Sequence, residues 1–209
     1  MTATAPHEAL ALLEIEGLPR AIRAQDAALK RAATEVLACT PLSPGKAVLI
    51  LAGSVAAVEE SLAAAEAVVG NRRLDRLFLP GVHQDLLGAL RGARGAQPGE
   101  ALAILEMQSL AATLEAADAA LKTAAVNVGR LHLGAGFGGK GYFTLTGALA
   151  EVEAGVAAAL QLAGERALDH EIIAAPHEEL EAAAFVRCWP LDPADCSNVS
   201  GAAKSPKQE

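Results

Sequence analysis

The sequence predicts an α+β protein made of two tandem ferredoxin-like domains, each an antiparallel sheet flanked by helices. The first observation behind this is an internal duplication. "EALALLEIEGLPRAIRAQDAALK" (8–30) aligns without gaps on "EALAILEMQSLAATLEAADAALK" (100–122), with 13 of 23 positions identical. "PGKAVLILAGSVAAVEES" then answers "GGKGYFTLTGALAEVEAG" after a two-residue insertion, so one supersecondary unit has been used twice. The second observation is the order within each unit, strand–helix–strand–strand–helix–strand–helix, which is that of a split βαβ fold. The third is the length of 209 residues, which suits one large domain or two of about 100.

Each element has a local reason. "ALALLEIE" and "ALAILEMQ" are short apolar runs of the kind a buried strand shows. Leu18, Ile22, Gln25 and Leu29, matched by Leu110, Leu114, Ala117 and Leu121, are spaced as one face of a helix. Asp26 and Lys30, and again Asp118 and Lys122, stand at the i,i+4 spacing that lets carboxylate and ammonium meet. "TEVLACTPL" and "KAVLILAG" read as a hairpin around Ser43-Pro44-Gly45-Lys46, where Pro followed by Gly signals a type II turn. In the second unit "VGRLHLGAG" and "KGYFTLTG" flank a glycine-rich tip. Gly53 and Gly147 end the hairpins, and alanine-rich helices follow. A last strand ("LDRLFLP", "LDHEIIAAP") and a short helix from His83 or His177 close each unit. The expected organisation is an extension at 1–7, domains at 8–92 and 100–186, a linker at 93–99, and a tail at 187–209 without periodicity, expected to be disordered.

Composition narrows the function. Hydrophobic residues are 52% of the chain but aromatics only 3%, so the core is Ala, Leu, Val and Ile, and partner subunits are expected to supply part of the stability. A net charge of −8 without basic clusters argues against nucleic acid. No apolar run approaches the roughly 18 residues of a membrane span, and the N-terminal stretch lacks a basic start. Three scattered cysteines suit a reducing, cytoplasmic setting.

Most candidate chemistry fails on inspection. "GAGFGGKG" (134–141) matches G-x-G-x-x-G and nearly a phosphate-binding loop, but both need a helix next, and here "YFTLTG" reads as a strand. The five histidines, His7, His83, His132, His170 and His177, lack zinc-ligand spacing, and no metal site is expected. His83 and His177 hold equivalent places before the last helices and suit capping. His132, on a strand leading to the glycine tip, is a structural histidine or a pore residue. Glu14 and Glu106, ending the first strands, are repeat-related, which favours a shared structural role over acid–base catalysis. Cys188 and Cys196 lack further ligands. No nucleophile–base pair is visible, so the chain is not expected to be an enzyme.

The paired segments "LLEIEGLPRAIRAQDAALK" and "ILEMQSLAATLEAADAALK", each followed by its G-K and G-x-x-x-x-V elements, resemble bacterial microcompartment shell domains over roughly residues 8–186. The tandem arrangement is similar to the trimer-forming shell proteins, nearest the iron–sulfur subtype of propanediol-utilising microcompartments. The resemblance implies a homotrimer shaped like a hexagon, tiling a shell with other shell proteins around encapsulated enzymes and passing small metabolites through a central pore. It implies Lys30 and Lys122, flanked by Asp26 and Asp118, at the tile edge. It also implies a pore ringed by Leu42, Ser43 and Pro44, with Gly136, Phe137, Gly138 and Gly139 from the second domain. The cluster-carrying subtype has a cysteine where this chain has Ser43, so no iron–sulfur cofactor is expected. The family often has Arg-Pro-His before the last helix; "GVH" (81–83) and "APH" (175–177) depart from it. The alternative is a ferredoxin-like regulator binding a small molecule between its domains.

Overall fold

The computed structural model describes residues 8–93, 99–134, 136–177 and 180. The first unit runs β1 (Glu8–Glu16), α1 (Leu18–Arg31), β2 (Glu35–Leu42), β3 (Lys46–Ser54), α2 (Val55–Val69), β4 (Arg73–Pro80) and α3 (Gln84–Leu90). The second runs β5 (Ala101–Met107), α4 (Leu110–Thr123), β6 (Asn127–Leu133), β7 (Gly141–Gly147), α5 (Leu149–Ala163) and β8 (Ala167–Ala174). The sheets have the orders β2-β3-β1-β4 and β6-β7-β5-β8, and the strand pairs are antiparallel. This is the ferredoxin-like arrangement expected from the repeat. The expected extension, nearly all of the short helix expected from His177, the tail with Cys188 and Cys196, and most of the linker lie outside the described residues.

β1 is buried along nearly its whole length because both faces of its sheet are covered. Ala9, Ala11, Leu13 and Ile15 face α1 and α2, while Leu10 and Leu12 join a second cluster that runs on into the other domain. Continuous burial explains the unbroken apolar run, since alternation marks only strands with one wet face. Ser54 caps α2 by accepting the Ala57 N–H, and His83 Nδ1 accepts the Asp85 N–H at the start of α3, the capping role expected for it. At the first hairpin tip Gly45 has φ 71°, as the second central position of a type II turn requires, and the Ser43–Pro44 peptide is cis.

The helix stripe read from the sequence points away from its own sheet. In α1 the face on the sheet is Ala21, Ala24 and Ala28, small side chains that let the helix sit close. The stripe of larger residues is left open, with Ile22 54% and Leu29 47% exposed. In α4 the same stripe is covered: Leu110 and Leu114 are fully buried and Leu121 is 5% exposed. One sequence pattern thus has two environments, set by what lies next to it.

Candidate functional site

The covering of α4 comes from the first domain, and the seam between the domains is where polar chemistry collects. Glu14, near the end of β1, is 1% exposed. One of its carboxylate oxygens accepts the N–H groups of Leu110 (2.8 Å) and Ala111 (3.4 Å), the first turn of α4. A helix leaves its first N–H groups without partners, and a carboxylate there is also favoured by the helix dipole. The other oxygen pairs with Lys46, whose ammonium donates as well to the carbonyl of Gly139 at 3.0 Å. Beside this, Ser109 accepts from Ala112 N–H as the cap of α4 and donates to Asp75 on β4 at 2.6 Å. Farther along α4, Asp118 accepts the His83 N–H at 2.8 Å and the Lys122 ammonium at 2.5 Å. Glu14, expected to be structural because of its place in the repeat, joins the two domains.

The two hairpin tips meet at this seam. Gly134 has φ 79°, and a Cβ there would sit 3.1 Å from Leu110 and 3.3 Å from Leu42. Gly139 has φ 80°, and a Cβ there would stand 2.7 Å from the Lys46 side chain. Positive φ and close approach both demand glycine, which accounts for the run that imitated a phosphate loop. It leads into strand β7, with no helix to receive a phosphate. Above the tip His132 stacks on Tyr142 (centroids 4.9 Å apart) and meets Phe137 edge-on at 5.8 Å.

Several expected site residues are placed differently by the fold. Leu42 and Gly139 are buried in the seam between the tips, because each packs against the other domain. Ser43, Pro44, Gly136 and Gly138 are exposed, and Phe137 is half-buried. Asp26 and Lys30 pair at 2.7 Å on an open helix surface. Asp118 is buried, its carboxylate accepting from the His83 N–H and from Lys122, which is half-exposed. Cys39 lies on β2 and packs toward α1 and α2, away from the tip, and burial pushes its thiol above its ordinary value. Lys46, Ser109 and Asp75 were missed by sequence reasoning. A signal for Lys46 existed: Glu14 and Lys46 both recur in the second copy, as Glu106 and Lys140.

A family model for the BMC domain matches residues 9–81 and again 101–176. The chain belongs to the BMC-domain family. It is 34% identical over 175 residues to the bacterial microcompartment shell protein PduT of Citrobacter freundii, covering 83% of this chain and 95% of that one. A solved microcompartment protein from Desulfitobacterium hafniense superposes with a TM-score of 0.79 at 39% identity, covering 83% and 98% of the two chains. The fused permuted hexameric shell protein MSM0275 of the RMM microcompartment shares the fold, with a TM-score of 0.57 at 24% identity over 76% and 84%. This BMC-domain chain is a structural shell protein of a bacterial microcompartment, not an enzyme. Among the described residues none suits an iron–sulfur cluster: the tip offers the Ser43 hydroxyl, and the half-buried Cys39 packs against the core away from it. Among the described residues no three His, Cys, Asp or Glu side chains gather as metal ligands.

Proposed function

We propose that three copies of this chain close into a pseudohexagonal tile whose centre is a pore between the paired hairpin tips. One observation carries the reading: the apolar face of α4 is covered within the chain, while the equivalent face of α1 leaves Ile22 and Leu29 exposed. A second chain placed on α1 as domain one lies on α4 repeats the same contact. Repetition through three chains closes a ring of six similar domains, satisfying each face once. Lys30 then stands on the rim with Lys122, where tiles meet side by side and join other shell proteins around the enclosed enzymes. Light scattering is expected to return the mass of a trimer, and electron microscopy to show sheets. Lys30→Asp with Lys122→Asp should abolish sheets and spare trimers; a monomer mass at all concentrations overturns the reading.

Ser43 and Pro44 would alternate with Gly136, Phe137 and Gly138 around the opening. Exposed glycine amides offer N–H groups to a passing anion, so small polar or anionic metabolites fit this lining. Serine is a neutral hydroxyl near neutral pH and a poor ligand for iron, so the opening carries no cluster. Protein purified without oxygen is expected to lack stoichiometric iron and sulfide and the broad visible absorbance of a cluster. Ser43→Cys is expected to acquire that absorbance on reconstitution, because three-fold symmetry would gather three thiolates.

A further inference from the structure

The duplication allows the contact between chains to be read residue by residue from the contact inside one. Equivalent positions differ by 92 before the second hairpin tip and by 94 after it. Glu14 corresponds to Glu106, Lys46 to Lys140, and Asp75 to Asp169. In the second domain Glu106 already accepts from Lys140 at 2.7 Å, reproducing the Glu14–Lys46 pair without a helix upon it. Glu106 also lines a shallow depression with Ile104, Asp169, His170 and Glu171. That depression is the counterpart of the β1–β4 surface on which α4 rests in the first domain.

We propose that Glu106, held by Lys140, accepts the Leu18 N–H at the start of α1 of a second copy of this chain, orienting one chain on the next. The inference rests on the trimeric reading above. Glu14 makes this same bond to Leu110, the residue equivalent to Leu18, at 2.8 Å. Apolar complementarity goes with it: Leu18 and Ile22 of α1 stand where Leu110 and Leu114 stand in α4, above Ile104 in place of Leu12.

The contact between chains is also predicted to be weaker than the one inside a chain, and the reasons are on the same residues. Ala111, whose N–H reaches Glu14, is replaced in α1 by Pro19, which has no N–H to donate. Ser109, whose hydroxyl reaches Asp75, is replaced by Gly17, leaving Asp169 without that donor. Leu77, buried on β4, is replaced by Glu171, which is exposed. The domains of one chain therefore stay together under dilution that separates the chains.

Analytical ultracentrifugation of the full chain over a dilution series tests this, with circular dichroism confirming that each variant is folded. Glu106→Ala is expected to raise the concentration at which trimers half-dissociate about tenfold or more, as for a lost hydrogen bond to a charged group. Pro19→Ala restores the missing N–H and is expected to lower that concentration about threefold when Glu106 is present. In the Glu106→Ala background it should have no such effect. Trimers unchanged by Glu106→Ala, or tightened equally by Pro19→Ala in both backgrounds, overturn the Glu106 assignment while leaving the trimer intact. Wild-type protein that is monomeric throughout overturns both.

Discussion

Leu114→Asp is expected to unfold the protein, whereas Ile22→Asp, the same change at the equivalent position of the other copy, is expected to leave each chain folded and abolish the trimer. Leu114 is fully buried between α4 and the first domain, so a carboxylate there has neither water nor a partner. Loss of the packing and burial of a polar group together cost about 4 kcal/mol or more, comparable with the whole stability of a marginal domain. Ile22 is 54% exposed in the single chain, and a surface change of this kind moves stability by only about 0.5 kcal/mol. Its cost appears when a second chain must cover it. Thermal unfolding and ultracentrifugation of the two variants separate the outcomes: Ile22→Asp should melt at the temperature of the dissociated wild-type chain and sediment as a monomer. A trimeric Ile22→Asp would remove α1 from the contact between chains.

Glu14→Ala is the second change with a large expected effect. Removing this carboxylate leaves the Lys46 ammonium, which is 15% exposed, without its counter-charge, and strips the acceptor from the first turn of α4. Breaking a buried pair from one side typically costs about 3–5 kcal/mol, because the remaining charge stays buried and uncompensated. Chemical denaturation is expected to show a loss of that order. Glu14→Leu with Lys46→Met should recover much of it by replacing both charges with apolar groups, though the Leu110 and Ala111 N–H groups would remain without their acceptor. The parallel change Glu106→Ala should barely alter the stability of the chain, since Glu106 and Lys140 are already partly solvated. A loss from Glu14→Ala no larger than that from Glu106→Ala would mean the seam is not held by this pair.

The contrast between the copies marks how far the sequence could be read. Element order, the antiparallel ferredoxin-like sheets and the shell-protein family all follow from local patterns: apolar runs, helix spacing, turn glycines and the repeat. Those signals are short-ranged, and each unit carries its own complete set. The environment of the helix stripe is of another kind. Leu18, Ile22, Gln25 and Leu29 show the same periodicity as Leu110, Leu114, Ala117 and Leu121, yet Ile22 and Leu29 are open while all four of the second set are covered. Periodicity tells that a face is apolar, not what will lie on it. The same holds for the acidic pair at the ends of β1 and β5, and for Asp26 and Asp118.

By itself the sequence determined that one α+β unit is built twice and that the second hairpin closes in a glycine-rich tip. Backbone conformation and residue chemistry are properties of a position and its near neighbours, so they can be read along the chain. Only the tertiary structure decided that Glu14, Lys46, Ser109 and Asp118 form the seam between the domains, and that Leu42 and Gly139 are buried within it. Those contacts join residues from about 35 to almost 100 positions apart, and they exist only because the first sheet turns its second apolar face toward α4 of the second domain.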